Sequence, residues 1–349
     1  MTEGEPLLEV ENLEKYFEQT GGILDRLRGN VDHVQAVDGV SMTLRENESQ
    51  AVIGESGCGK TTLIKTLMGL QDHTGGTIRF RGTEFSSFTK SDWREFRRNV
   101  QIIFQDPFNS LDPKFTVRET VREPLEIHDF DDKEERVKQM LREVQLNPPE
   151  RYLDQLPDQL SGGEKQRVSI ARALIVEPDI VMADEPVSML DVSTQASILQ
   201  LLNELIDEMG VSMVYISHDL STVSYVSDYV NVMYLGRIVE RAPTLQLIEE
   251  PKHPYTEALV RAIPRPDPYF DRGRVDLAGS PGDPVNIGPG CRFRDRCPER
   301  MDVCEKTPRF LEVEDDHATA CHLYYDHEEG APAPDTSDAP TQAATDRMD

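Results

Sequence analysis

The stretch Ala51-Val52-Ile53-Gly54-Glu55-Ser56-Gly57-Cys58-Gly59-Lys60-Thr61-Thr62-Leu63-Ile64 decides the fold. An apolar run ends at Ile53, a glycine-rich turn follows, and Leu63, Ile64, Leu67, Met68 and Leu70 recur with helical spacing. Between them stands Gly54-x-x-x-x-Gly59-Lys60-Thr61, a phosphate-binding pattern in its required setting of strand, loop and helix. Glycines let successive backbone N–H groups turn inward around a β-phosphate, and the helix that follows adds its positive end. Lys60 is placed to reach the β- and γ-phosphates, and the Thr61 hydroxyl to ligate Mg²⁺. Gly54, Glu55, Ser56, Gly57, Cys58, Gly59, Lys60, Thr61 and Thr62 are therefore the expected contacts of a nucleoside triphosphate.

At 349 residues the chain has room for one large domain and a smaller one. Its 37 Lys and Arg stand against 64 Asp and Glu, a net charge of −27. Such a surface repels a phosphate backbone and argues against a nucleic-acid partner. The acid excess fits either a high-salt cytosol, where screening tolerates net charge, or an ordinary acidic protein with an acidic tail. No apolar run reaches the roughly 18–20 residues that span a bilayer. Met1 to Glu9 is acidic and lacks an apolar signal core, so a cytoplasmic chain is expected, with any membrane role supplied by partners. Of five cysteines, Cys58 lies in the loop, and Cys291, Cys297, Cys304 and Cys321 cluster late; in a reducing cytosol that cluster suggests metal before disulfides.

Leu7 to Leu13 alternates like a strand ending near Tyr16-Phe17, and residues 18–34 read as an exposed insertion. Val34 to Leu44 and Thr77 to Gly82, the latter a strand ending in a turn, complete a small β-rich layer. Asn99 to Phe104 and Ile180 to Ala183 are buried-type strands, as is Val211 to Ile216. Helical spacing runs from Val117 to Gln145, with a charged start at Asp131 to Glu135. A second helix follows Ser161-Gly162-Gly163, and a third spans Ser197 to Met209. Apolar strands alternating with helices predict an α/β fold with a mostly parallel sheet covered on both faces. Pro251 to Pro289 reads as a Pro- and Gly-rich connector, Gly290 to about Tyr325 as the cysteine segment, and Asp326 to Asp349 as a disordered tail.

Ile180-Val181-Met182-Ala183-Asp184-Glu185 delivers an acidic pair at the end of an apolar strand, and Leu160-Ser161-Gly162-Gly163-Glu164-Lys165-Gln166-Arg167 opens a helix on two glycines. With the phosphate loop, these resemble the Walker B strand and the signature of ABC-transporter ATPases, over roughly Leu7 to Pro264. The resemblance implies a P-loop ATPase of ABC type over residues 1–265, with a helical subdomain inserted at about 106–178. It implies that Asp184 holds Mg²⁺ with Thr61 and Gln105, and that Glu185 polarises the attacking water. Ser161, Gly162, Gly163 and Glu164 would bind the γ-phosphate of ATP on an opposite subunit, in a head-to-tail pair. Glu164 departs from the Gln often found there, and Met189 from a small residue in Ser188-Met189-Leu190-Asp191, the D-loop whose Asp191 sits at the subunit interface. Gln105, ending the Ile102-Ile103-Phe104 strand, is similar to the Q-loop glutamine. His218, in Ile216-Ser217-His218-Asp219, is similar to the switch histidine. Tyr16 resembles the adenine-stacking aromatic, with Phe17 as a rival.

Phe104 to Pro113, Val121-Arg122-Glu123-Pro124-Leu125 and Lys252-His253-Pro254-Tyr255-Thr256 are similar to ATPase subunits of dipeptide and oligopeptide importers, of the second type. That resemblance implies import powered by ATP hydrolysis, a second ATPase subunit, two membrane-spanning permease subunits and an extracellular binding protein. It places the chain on the cytoplasmic face of the membrane; nickel importers share the architecture, and a soluble ABC ATPase of repair or translation is the other class. The spacing C-x5-C-x6-C-x16-C over Cys291, Cys297, Cys304 and Cys321 resembles the C-terminal extension at 266–325, some members of which hold a [4Fe–4S] cluster. Four thiolates can also bind Zn²⁺ tetrahedrally, although no close C-x-x-C pair is present, and free or disulfide-linked cysteines are the third reading. His317 and His322 nearby read as surface residues.

Overall fold

A computed structural model describes residues 4–19, 32–106, 110–263 and 282–325. Most of the insertion, Pro107 to Asn109, the middle of the connector and the acidic tail lie outside the described residues. The strands are β1 (Pro6–Gln19), β2 (Asp32–Arg45), β3 (Ser49–Ile53), β4 (Gly75–Phe80), β5 (Thr83–Glu84) and β6 (Val100–Ile103), then β7 (Ile180–Asp184), β8 (Ser212–Ser217), β9 (Tyr229–Tyr234), β10 (Arg237–Pro243), β11 (Leu311–Glu314) and β12 (His317–Thr319). The chain divides into two compact units, and each interleaves distant segments.

The first unit joins the residues before Glu9 to Leu44–Val52 and Phe80–Tyr229. Here β3, β8, β7 and β6 lie side by side in that order. β6, β7 and β8 are parallel, with Val100 opposite Ile180 and Ile180 opposite Ser212. Every residue of β7 and β8 is buried, as continuous apolar strands in a two-sided parallel sheet must be. The helical spacing from Val117 to Gln145 resolves into two helices, Val117–Ile127 and Lys133–Glu143, rather than one. The break falls where Asp129 and Asp132 take left-handed backbone at φ 58° and 50°, a conformation Asp tolerates and a helix does not. Both pack with the helix Gly162–Leu174. The helix expected from Ser197 starts five residues earlier, at Val192, because the Asp191 side chain caps it.

The second unit holds Glu9–Thr43, Ile53–Arg79 and the chain from Val230 onward. β2, β1 and β4 form its β-rich layer, and β9, β10, β12 and β11 lie side by side in that order. The cysteine segment is built into that row of strands, since β12 pairs antiparallel with β10, Glu240 opposite Thr319. Two expectations fail in this unit. The first residues of the presumed connector form a helix, Pro254–Arg261, whose Tyr255 is fully buried. His317 and His322 are also buried, because the Nε2 of His317 meets Glu240 at 2.7 Å and that of His322 donates to the Lys306 carbonyl at 2.8 Å. Tyr234, His253, Tyr255 and Phe293 gather into an aromatic core, with Tyr234 and Phe293 edge-to-face at 5.3 Å. A buried ring the size of Phe293 contributes about 2–3 kcal/mol.

Candidate functional site

The phosphate loop leaves β3 and enters the helix Lys60–Leu67, which buries Leu63, Ile64 and Leu67. Gly59 caps that helix at φ 111°, and a Cβ there would stand 2.0 Å from the Ala36 carbonyl oxygen, so no side chain fits. The Lys60 ammonium is buried and donates to the loop's own carbonyls, Gly54 at 2.8 Å and Glu55 at 3.1 Å. A phosphate entering the loop offers oxygens of higher charge to the same donor. Cys58 is buried beneath the loop, and burial pushes its thiol up, out of reactive range.

Tyr16 lies half-buried on β1, where its hydroxyl donates to Asp38 Oδ1 at 2.5 Å. Burial, then the Asp38 hydrogen bond, drives the phenol well above its ordinary range. Burial also opposes the Asp38 charge, but the Tyr16 hydrogen bond and the guanidinium groups of Arg237 and Arg292 outweigh it and keep the carboxyl below its usual range. The ring of Tyr16 is thus tethered through its hydroxyl, whereas the rival Phe17 is exposed, with Lys15 Nζ 4.9 Å over its ring.

In the first unit, β7 ends on buried Asp184, and Glu185 follows with φ 45°. Left-handed backbone at a non-glycine residue costs about 1 kcal/mol or more and is held here by the Glu185 N–H bond to the Ile216 carbonyl at 3.0 Å. The Glu185 carboxylate meets two other candidate site residues. Glu185 Oε2 accepts from Gln105 Nε2 at 3.0 Å and lies 3.0 Å from His218 Nδ1. Gln105, Glu185 and His218, three residues spread over more than a hundred positions, thus converge on one oxygen.

Ser161 caps the helix Gly162–Leu174, and Glu164 closes a capping box. The Glu164 carboxylate accepts from the Ser161 N–H and hydroxyl, both at 2.8 Å, and these bonds hold its carboxyl below the usual range. The acid in place of Gln is therefore a helix-start device. Gly162 and Gly163 face a groove of about 450 Å³ that Met189, Leu190, Asp191 and Thr194 also line. Asp191 accepts from the Ser193 and Thr194 hydroxyls, at 2.6 and 2.7 Å, and its carboxyl is held down to about 2 by the Ser193 bond first. A Cβ on Gly163 would meet the Thr194 methyl at 2.8 Å.

All four late cysteines carry free thiols. Burial raises Cys291 to about 11 and Cys321 to about 12, and the Cys321 thiol also feels the charges of Cys291, Cys297 and Cys304. Among the described residues no three His, Cys, Asp or Glu side chains stand together closely enough to hold a metal ion. Mg²⁺, which keeps waters and phosphate oxygens as ligands, needs no such group. Sequence reasoning missed two residues of the second unit that touch this machinery. Arg292 binds Asp38, and Arg296 binds Glu55, and neither lies in a motif.

A phosphate loop, an acidic pair at the end of a buried strand with a converging Gln and His, and a Ser-Gly-Gly helix start define an ATPase of the ABC type. The ABC transporter family pattern matches residues 37–188, and the oligopeptide/dipeptide transporter C-terminal region matches 239–304. A putative oligopeptide transport ATP-binding protein of Bacillus subtilis, YkfD, is 43% identical over 91% of this chain and 96% of its own. The oligopeptide transport ATP-binding protein OppF of Escherichia coli is 41% identical over 92% and 97%. Among solved structures, the ATP-binding cassette MJ0796, a dimer in a post-hydrolysis state with ADP and Pi bound, is 27% identical with a TM-score of 0.59, covering 68% of this chain and 99% of that one. The chain belongs to the ABC-transporter ATPases, in the family of oligopeptide transport ATP-binding proteins.

Proposed function

We propose that this chain hydrolyses ATP to power import of dipeptides or oligopeptides through partner permease subunits, at the cytoplasmic face of the membrane. The observation that carries this reading is the convergence of Gln105 and His218 on Glu185, because it assembles a water-activating carboxylate whose one oxygen is engaged by both neighbours. ATP binds at Gly54–Thr62, with Tyr16 against the adenine and Lys60 on the β- and γ-phosphates. Thr61 and Asp184, with help from Gln105, would hold Mg²⁺, which would supply neutralisation of the charge that develops on the phosphates. Glu185 orients the attacking water and His218 reaches the γ-phosphate. Ser161 to Glu164 closes over the ATP of a second ATPase subunit, so that ATP draws the pair together and hydrolysis releases it.

The match to the C-terminal region of oligopeptide and dipeptide transporters supports the peptide cargo and an extracellular binding protein as the third kind of partner. Among the described residues no helix is long and apolar enough to cross a membrane, so the membrane path belongs to partners. The spacing of Cys291, Cys297, Cys304 and Cys321 in one small segment supports a [4Fe–4S] cluster, with Zn²⁺ as the alternative, although the four free thiols as placed do not stand close enough together to hold a metal ion. The experiment is reconstitution of the complex in vesicles. Peptide-loaded binding protein is expected to stimulate ATP hydrolysis and peptide uptake; stimulation by nickel alone, with no response to peptide, would overturn the cargo.

A further inference from the structure

Glu55, the second residue of the phosphate loop, is gripped at each of its polar groups. Its N–H donates to the Tyr255 hydroxyl at 2.8 Å, and its carbonyl accepts from Lys60 at 3.1 Å. Its carboxylate takes a two-pronged bond from Arg296, Nη1 to Oε2 at 2.7 Å and Nη2 to Oε1 at 3.0 Å. Arg296 stands one residue before Cys297, 241 positions along the chain from Glu55. Its side chain is 7% exposed, with the guanidinium 5.9 Å from the ring centres of Tyr234 and Phe293 and Nη1 3.4 Å from the Tyr234 hydroxyl. Tyr234 in turn packs on Tyr255 at 4.7 Å, so both grips on Glu55 rise from one aromatic core.

We propose that Arg296 is a positioning residue for ATP: it ties down and neutralises the Glu55 carboxylate, so that the loop presents amides and Lys60 to the phosphates instead of a loose negative charge. The proposal rests on the reading of Gly54–Thr62 as the ATP loop. A carboxylate inside a loop built for phosphates carries the wrong sign for its ligand, and freed from its partner it would repel each phosphate in the site. A guanidinium fork suits the task better than an ammonium, because two parallel bonds fix the carboxylate plane as well as its charge. The C-terminal segment thereby takes part in nucleotide binding through a side chain that lies outside every nucleotide motif.

The test is a titration of the full-length chain with a fluorescent ATP analogue and Mg²⁺, with ATP and ADP as competitors. Arg296→Ala is expected to weaken ATP about tenfold and ADP less, because the repulsion grows with the number of phosphates. Arg296→Lys is expected to fall between, roughly threefold weaker, and keeps the test open should the alanine variant unfold. Adding Glu55→Gln to Arg296→Ala removes the loose charge and is expected to recover most of the lost affinity. A purely structural Arg296 would instead lower the melting temperature and weaken ATP and ADP alike, with no recovery in the double variant; that result overturns the proposal, as does unchanged ATP affinity in Arg296→Ala. Lys60→Ala run alongside separates the two readings. If it binds ATP as tightly as the parent chain, the loop assignment fails whatever Arg296 does.

Discussion

His218 Nδ1 lies 3.0 Å from Glu185 Oε2, and the same oxygen accepts from Gln105 at 3.0 Å. Both neighbours engage one oxygen, so the other is the position from which a water can be polarised. Glu185→Gln keeps the size and removes the proposed base. ATP hydrolysis by the assembled transporter is expected to fall at least about 100-fold while ATP stays bound, trapping the closed pair. Steady turnover by that variant would refute the assignment of Glu185 as the base.

Gly163 faces Thr194, whose N–H and hydroxyl are both tied to Asp191, so the methyl at 2.8 Å from a new Cβ has little room to yield. If the groove over Gly162 and Gly163 serves the opposite subunit's nucleotide as proposed, Gly163→Ala is expected to leave ATP binding by the isolated chain within about twofold and to cut hydrolysis in the assembled pair at least about tenfold. Measuring both quantities checks this. An equal loss in the two would place the defect in the chain's own fold.

Metal content decides the role of the cysteine segment. If the segment holds the proposed cluster, anaerobically purified chain should carry iron and acid-labile sulfide at about four each, with a broad visible absorption that bleaches on reduction. Cys297→Ser should lose that metal and lower stability. One zinc per chain would assign a structural site without redox chemistry, and metal content unchanged by Cys297→Ser would remove that residue from any ligand set.

His253 is fully buried, and its Nδ1 accepts the Tyr255 N–H at 3.1 Å, a bond that only the unprotonated nitrogen can make. Burial pushes this histidine down to about 4, against an opposing pull from Glu240. Between about pH 6.5 and 4 the unfolded chain therefore binds a proton that the fold refuses. Stability is full above that window and is lost as pH falls through it, by up to about 3 kcal/mol. Denaturation from pH 7.5 to 4.5 should show the slope, and His253→Asn, which can still accept the Tyr255 N–H, should flatten it. An identical slope in the variant would assign the pH dependence elsewhere.

The net charge of −27 makes a further point testable. If the acid excess is an adaptation to a salty cytosol, melting temperature and ATP turnover should rise between about 0.1 and 2 M KCl as carboxylate repulsion is screened. Indifference to KCl over that range would leave an ordinary acidic protein.

The phosphate loop was legible because its contacts are local. Gly59 closes a turn, and Lys60 reaches back six residues to Gly54, so spacing alone specifies the geometry. The same holds for Ser161 and Glu164, three residues apart, and for the apolar run Ile180 to Ala183 that delivers Asp184 and Glu185. What could not be read was pairing between distant segments. Tyr255 sits in a stretch rich in Pro that reads as a connector, yet the core closes over it. His317 looked solvent-facing until Glu240, 77 residues away, met it in the interior. By itself the sequence determined the nucleotide motifs, the parallel α/β core and the family, since local spacing and apolar runs dictate strand, turn and helix. Only the tertiary structure decided that Arg296 braces Glu55 and Arg292 braces Asp38, because such pairs depend on which segments chain closure brings together and leave no periodic trace.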